Sequence, residues 1–201
     1  MVKIVGPDRI IIAKKEKKKL RIFCDLDSVC SYWEESAASV CDIDFKNEEI
    51  REQLKNGVCI ENLVGGKKKM WKLIDDAGEN FWKNMEILPW AKKLYNELNK
   101  RTEDFCFLTS PSLSPVSFSG KIKWLRKHFG ENFKDFLIGS NKYLCAGPDS
   151  LLIDDNEKKC KKFAEYGGKV FLWPNPIKLI DGDVNIDETF EDLFEMIEKI
   201  K

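Results

Sequence analysis

The sequence predicts an α/β fold, in which helices cover both faces of a parallel sheet. Five short apolar runs of the kind found in buried strands are spread along the chain, and amphipathic segments of helical periodicity separate most of them. Helix ends are marked as well, since "KIKWLRKHF" carries an apolar stripe and is followed by Gly130, a typical stop. Strands that alternate with helices are typical of a sheet whose strands run parallel.

The composition sets the limits of this fold. The 201 residues suffice for one domain with a sizeable core, and 43% hydrophobic residues exclude a disordered chain. Lys+Arg and Asp+Glu both number 34, so the formal net charge of zero gives no reason to expect a nucleic-acid polymer as a partner. The seven cysteines include no CxxC pair, which indicates reduced thiols and a cytoplasmic protein. No apolar segment is long enough for a membrane span.

The first half of the chain contains one core strand and several helices. Residues 1–19 are interpreted as an appendage, in which "VKIV" and "RIIIA" flank the turn residues "GPD" and could form a hairpin. The first core strand is expected at residues 20–26. Helices are expected in "SYWEESAASVC", "NEEIREQLKN" and "KKMWKLIDDAGENFWKNM". A further helix is expected in "LPWAKKLYNELNK", with Pro89 in its first turn.

The second half supplies the remaining strands. We expect them in "FCFL", "FLIG", "SLLID" and "KVFLW". Between and after them, helices are expected in "SGKIKWLRKHFG", with Ser119 as the N-cap, in "EKKCKKFAEYGG" and in "DETFEDLFEMIEKI".

Polar side chains follow four of the predicted strands. They are Asp25 and Asp27 after the first strand, Thr109 and Ser110 after the second, Lys142 after the third, and Asp154 and Asp155 after the fourth. In open α/β sheets the ligand site lies at the carboxyl edge of the strands. We therefore expect these side chains to lie close together.

These residue types suit one chemistry. Carboxylate oxygens are the ligands that Mg²⁺ prefers, and a cation, lysines and hydroxyl groups together stabilise the charge of a phosphoryl group. Asp25 can attack phosphorus to form an aspartyl-phosphate. Asp27, two residues further on, can protonate the leaving alcohol and then activate water. The sequence thus predicts a Mg²⁺-dependent phosphomonoesterase.

These motifs, in this order, resemble those of the haloacid dehalogenase-like phosphohydrolases. Within that superfamily, "DLDSVCSYW", "FLTSPS", "GKIKWLRKHFG", "NK" and "LLIDD" are similar to the 5'(3')-deoxyribonucleotidase family, which removes phosphate from nucleoside monophosphates, chiefly deoxy forms. The resemblance covers roughly residues 21–173. It implies a Rossmann-like core at residues 20–30 and 88–201, with a small helical cap at residues 31–87 inserted after the first core strand.

The resemblance also implies roles for the residues at the first three strand ends. Asp25 would be the nucleophile and a Mg²⁺ ligand. Asp27 would be the general acid and base, with its backbone carbonyl as a second ligand. Thr109 and Ser110 would hold the phosphate, and Lys142 would neutralise it.

Four more positions match the family. Lys121 in "GKIKW" would be a second basic group near the phosphate, and Trp33 would pack on the substrate. Asp154 and Asp155 match the metal-side pair; Asp155 is the favoured direct ligand with Asp154 as its support, and the reverse order stays open.

Two positions depart from the family pattern. Ser28 and Trp90 stand where the resemblance expects glycine, at positions that bear on substrate access and on the hinge of the cap, respectively. Trp71, Phe81 and Trp82 either form the core of the cap or line a nucleobase pocket.

Two alternative functions stay open. One is a phosphatase of the same superfamily that acts on another small phosphomonoester, such as a sugar phosphate. The other is a non-catalytic member that binds a nucleotide. The partner expected in each case is a small molecule, and a homodimer remains possible.

Overall fold

The computed structural model describes residues 2–5, 10–13 and 19–200. The strands are Val2–Val5 (β1), Ile10–Ala13 (β2), Arg21–Cys24 (β3), Asp104–Thr109 (β4), Phe136–Ile138 (β5), Ser150–Asp154 (β6) and Lys169–Leu172 (β7). The helices are Trp33–Val40 (α1), Glu48–Lys55 (α2), Ile60–Leu63 (α3), Lys67–Ala77 (α4), Glu79–Asn84 (α5), Ala91–Arg101 (α6), Val116–Phe129 (α7), Glu157–Glu165 (α8), Pro176–Asp181 (α9) and Ile186–Ile200 (α10), with a 3-10 turn at Lys142–Cys145.

Five strands form one parallel sheet in the order β5-β4-β3-β6-β7. The central strand is β3, where Cys24 pairs with Phe107 of β4 on one side and with Ile153 of β6 on the other. The backbone N–H of Asp25 still donates to the carbonyl of Ile153, at 2.9 Å, so the sheet continues to the first acid of "DLD". The residues after β3 are thereby fixed between two neighbouring strands.

The core lies on both faces of this sheet. Side chains alternate along a strand, and in β3 the buried Ile22 and Cys24 join one hydrophobic cluster, which includes Trp124 of α7. Phe23 points to the other face and packs edge-on against Phe163 of α8, with 6.4 Å between ring centroids. Helices therefore cover both faces, which confirms the predicted α/β class with a parallel sheet.

Five helices, α1 to α5, lie in the chain between β3 and α6. The two segments that lead into and out of them pair with each other, since Tyr32 N donates to Glu86 O at 2.8 Å and Leu88 N donates to Cys30 O at 2.9 Å. This pairing lies where the cap was expected to begin and end. The division into a core and a separate cap of residues 31–87 stays a prediction.

Trp90 occupies its position without backbone strain. Its φ of −87° is open to any residue, so glycine is not required there. The buried indole donates from Nε1 to the carbonyl of Val29 at 2.8 Å. The side chain thereby ties the start of α6 to the turn that follows β3.

The single helix expected in "KKMWKLIDDAGENFWKNM" is two helices in the structure. Gly78 lies between α4 and α5 with a φ of 66°, a conformation that glycine adopts at little cost. The chain turns there, which lets the aromatic residues of α5 pack against α7. The prediction of one continuous helix was wrong because the apolar periodicity continues across the break.

Two helix starts differ from the prediction, and one helix was not predicted. Helix α7 begins at Val116, and the Ser119 hydroxyl, expected as the N-cap, donates to the carbonyl of Val116 from inside the first turn. Helix α6 begins at Ala91, two residues after Pro89. Helix α9 was not predicted, although Asn175 caps it by accepting a 2.8 Å hydrogen bond from Ile177 N.

The two strands expected near the N-terminus pair antiparallel, with Val2 opposite Ala13. The turn expected between them lies outside the described residues. In the part of the chain that the structure describes, no helix has the length and apolar character that a bilayer span requires.

Candidate active site

The candidate site lies at the carboxyl edge of the sheet, where the loops after β3, β4, β5 and β6 meet. Asp25 follows β3, Thr109 ends β4, Asp154 ends β6, and Lys142 opens the 3-10 turn after β5. All four of these polar side chains are buried. Burial of polar groups is costly unless they are paired or serve a function, so their concentration at this edge indicates a functional site.

Asp25 and Lys142 form the centre of the site. Lys142 Nζ lies 2.7 Å from Asp25 Oδ2 and 2.6 Å from Asp154 Oδ2, and the backbone N–H of Leu26 donates to Asp25 Oδ1 at 2.8 Å. Burial alone would raise the pKa of Asp25, but Lys142 and then Lys159 hold it well below its usual value. Asp25 is therefore a carboxylate at neutral pH.

Three carboxylates gather beside Lys142. Oxygens of Asp25, Asp154 and Asp155 lie within 4.8 Å of one another. Burial raises the pKa of Asp155 well above its usual value, and the charge of Asp25 raises it further. Negative charge thus exceeds what the nearby lysines offset. An all-oxygen donor set with excess negative charge fits a hard divalent cation such as Mg²⁺.

The two acids of the metal-side pair differ in their hydrogen bonds. Asp154 Oδ2 accepts from Lys142, and its Oδ1 accepts from the backbone N–H of Asn156 at 2.9 Å. Asp155 accepts no hydrogen bond within residues 19–200. Its carboxylate is therefore the more available of the two.

Asp27 lies in a second charged group at the same edge. Its carboxylate pairs with Lys121, which is fully buried and also donates to Thr109 Oγ1 at 3.0 Å. The Asp27 carboxylate does not belong to the three-carboxylate cluster. Its expected contribution to metal binding through the backbone carbonyl stays a prediction.

Ser110 carries an unsatisfied hydroxyl. Its Oγ is buried and has no hydrogen-bond partner in the described residues. A buried hydroxyl without a protein partner is uncommon, and this one is free to donate a hydrogen bond to a ligand. Its position directly after Thr109 places it at the edge where phosphate was expected.

The aromatic residues are arranged in a row. Trp33 packs against Trp71 with 6.4 Å between ring centroids, and Trp71 stacks on Trp82 at 6.5 Å. Lys121 Nζ lies 4.8 Å from the ring centroid of Trp82. Phe81 and Trp82 are buried in the core, whereas Trp33 and Trp71 are only partly buried. Core packing is therefore the structural role of Phe81 and Trp82.

Lys159 was not among the expected site residues. It lies in α8, and its Nζ is 3.5 Å from Asp25 Oδ2. Burial lowers its pKa, but Asp25 and Asp154 outweigh this and raise it overall. The sequence provides only a weak indication that Lys159 belongs to the site, namely its position in the first turn of the helix that follows the acidic pair.

Ser28 and Glu34 were not expected to interact. Ser28 has a φ of 64°, in the left-handed region that explains why glycine is expected there. Its hydroxyl donates to Glu34 Oε1 at 2.5 Å. This contact could not be read from the sequence, because it depends on the direction in which α1 leaves the turn.

The fold is similar to that of known hydrolases. The haloacid dehalogenase (HAD) hydrolase YfnB from Bacillus subtilis, solved with bound magnesium, gives a TM-score of 0.51 at 13% identity over 76% of this chain and 86% of that chain. A HAD family enzyme from Bacteroides thetaiotaomicron, solved as a magnesium complex, gives a TM-score of 0.39 at 18% identity over 79% of this chain and 95% of that chain. The similarity to the Bacillus subtilis structure shows that the molecule has the fold of HAD-like hydrolases.

The chain belongs to the family described as "5' nucleotidase, deoxy (Pyrimidine), cytosolic type C protein", whose model matches residues 18–200. It is accordingly a phosphoric monoester hydrolase of the nucleotidase type. The sequence matches no curated protein.

Proposed function

We propose that the protein is a Mg²⁺-dependent phosphatase that hydrolyses nucleoside monophosphates, with deoxynucleotides as the preferred substrates. The observation that carries this proposal is the meeting of Asp25, Lys142 and the acidic pair at one edge of the sheet. Membership of a nucleotidase family supports a nucleotide as the substrate.

Asp25 is proposed as the nucleophile. Because lysines keep its pKa low, it is ionised and ready to attack phosphorus. A new bond from the Asp25 carboxylate to phosphorus forms as the bond from phosphorus to the nucleoside oxygen breaks. The product is an aspartyl-phosphate and a free nucleoside.

Asp27 is proposed as the general acid and base. It gives a proton to the departing nucleoside oxygen and then takes one from water, which attacks the aspartyl-phosphate and releases inorganic phosphate. Asp27 must carry a proton for the first step and be ionised for the second, and the contact with Lys121 suits the second. The same contact holds the side chain in one orientation beside Thr109.

Asp25 and Asp155 are proposed to hold the magnesium ion, with the backbone carbonyl of Asp27 as a further ligand. Within the acidic pair, Asp154 is assigned the supporting role, because both of its oxygens accept hydrogen bonds and the Asp155 carboxylate is the more available. When bound, the cation withdraws negative charge from the phosphoryl oxygens. The magnesium found with the Bacillus subtilis structure supports the choice of metal.

The remaining residues are proposed to bind the substrate. Ser110 Oγ and the Thr109 hydroxyl would donate to phosphoryl oxygens, and Lys142 and Lys121 would offset their charge. The partly exposed Trp33 would pack against the nucleobase. A cytoplasmic location is also proposed, on the basis of seven free cysteines and the family description.

Asp25→Asn tests the chemistry. The variant should lose nearly all phosphate release from a panel of nucleoside monophosphates with Mg²⁺ present, because the amide is a poor nucleophile. The wild type assayed with and without Mg²⁺ is the control for metal dependence. Activity retained in Asp25→Asn would contradict the assignment of Asp25 as the nucleophile. If the wild type hydrolysed sugar phosphates but no nucleotide, the proposed nucleotide substrate would be wrong.

A further inference from the structure

Glu34 has a buried carboxylate oxygen that nothing around it satisfies. The residue lies in the first turn of α1, and its Oε1 accepts the hydrogen bond from Ser28. Its Oε2 is buried and has no hydrogen-bond partner within residues 19–200. Burial raises the pKa of Glu34 to about 7. Since an unpaired buried carboxylate oxygen is costly, a group that donates a hydrogen bond to this atom would be stabilising.

This carboxylate lies beside the turn that follows β3. Its partner Ser28 comes directly after Asp27, and the charge of Glu34 helps to raise the pKa of Asp155. Yet Glu34 is not part of the group whose oxygens approach within 4.8 Å of one another. A carboxylate outside that group can still act on an ion held there through a water molecule bound to the ion.

The charges of the site leave room for a divalent cation. Its carboxylates are Asp25, Asp27, Asp154, Asp155 and Glu34, and its ammonium groups are Lys121, Lys142 and Lys159. With all five carboxylates ionised, as a bound cation would favour, two negative charges are in excess. Each of the three ammonium groups contacts another carboxylate, and no contact joins any of them to Glu34 in the described part of the chain.

We propose that Glu34 is a positioning residue for the cation, in that its Oε2 accepts a hydrogen bond from a water molecule bound to the ion. The inference rests on the proposed function, because it requires a cation at the cluster. Mg²⁺ usually keeps several waters when it binds a protein, and groups that hold the outer ligands affect its affinity. Ser28 contributes by fixing the other oxygen of Glu34.

The test is direct measurement of Mg²⁺ binding to the full chain by titration calorimetry, without substrate. Glu34→Gln should weaken Mg²⁺ binding about tenfold, the low end of the effect for such outer groups. Glu35→Gln changes the neighbouring acid on the same turn and should leave the affinity unchanged. Ser28→Gly removes the hydroxyl that anchors Glu34, and glycine suits the positive φ at this position. This variant should lose less Mg²⁺ affinity than Glu34→Gln.

Three results would contradict this role of Glu34. Unchanged Mg²⁺ affinity in Glu34→Gln would contradict it while leaving the phosphatase function intact. A raised KM for nucleotide with unchanged Mg²⁺ affinity would make Glu34 a substrate acceptor instead. If the wild type bound no Mg²⁺, both this inference and the proposed metal dependence would be wrong. The assignment of Asp25 as the nucleophile is tested separately by Asp25→Asn.

Discussion

Lys142 is the residue on which the charge balance of the site depends most. It is 2% exposed and lies between Asp25 and Asp154, so two buried carboxylates share one ammonium group. In the sequence it is an ordinary lysine, and only its place after the third strand singled it out. Because buried charges must be paired, its loss would leave both acids without their main partner.

Lys142→Met should therefore damage both stability and activity. The side chain keeps its length but loses its charge, and we expect the free energy of unfolding to fall by about 3 kcal/mol without added metal. Phosphate release should fall at least a hundredfold, since the phosphoryl charge loses a fixed cation. Chemical denaturation and a phosphate-release assay measure the two effects.

A matched control is Lys161→Met, which removes an exposed lysine that pairs with Glu157 on α8. Exposed pairs contribute little, so this variant should behave like the wild type. If Lys142→Met were as stable as Lys161→Met, the buried pairing would be wrong.

At the scale of elements, the contact between α5 and α7 places Trp82 beside the site. Gly120 makes this contact possible, because a Cβ there would lie 2.4 Å from Trp82 Cβ and 3.2 Å from the carbonyl of Glu79. The next residue, Lys121, then reaches both Asp27 and Thr109. A glycine in a helix interior ordinarily costs stability, so its presence is explained by this close approach.

Gly120→Ala should destabilise the protein although alanine is the better helix former. Overpacking of this kind costs about 1–3 kcal/mol, which exceeds the gain in helix propensity. Gly139→Ala is the control, because nothing lies within 4 Å of a Cβ at that position. Thermal unfolding of both variants gives the comparison, and an unchanged Tm for Gly120→Ala would contradict the packing described.

At the scale of the whole molecule, helices distant in sequence are joined by charges. Arg51 and Lys55 of α2 pair with Asp181 at the end of α9, and Lys55 also pairs with Asp183 at 2.6 Å. Asn175 adds a hydrogen bond from its side chain to the carbonyl of Leu54 at 3.1 Å. These contacts connect the segment inserted after β3 with the end of the chain.

Asp181→Asn should loosen this connection. We expect Tm to fall by roughly 2–4 °C at low salt, in keeping with the small contribution of partly exposed ion pairs. The difference from wild type should shrink in 1 M NaCl, because salt screens such pairs. Asp187→Asn, which breaks a more exposed pair with Lys93, is the control and should change Tm less. An effect of Asp181→Asn that does not depend on salt would contradict an ionic origin.

Much of this molecule could be predicted from the sequence because its signals are local. The apolar runs that predict strands are read within a few residues. In the structure, Asp25 and the acidic pair, which directly follow or end such runs, lie together at one edge of the sheet. The same local patterns failed at Gly78, where helical periodicity continues through a turn, and at α9, whose cap was overlooked.

The α/β class and the chemistry expected at the strand ends could be read from the sequence alone, since the alternation of strands with helices and the residue types are short-range patterns. Which side chains meet depends on the tertiary structure. It separated Asp27 with Lys121 from the cluster of Asp25, Asp154 and Asp155, and it brought Lys159 and Glu34 to the same site. The physical reason is that ion pairing and burial act across space, between residues more than a hundred positions apart such as Asp25 and Lys159, and no local pattern in the chain records such distances.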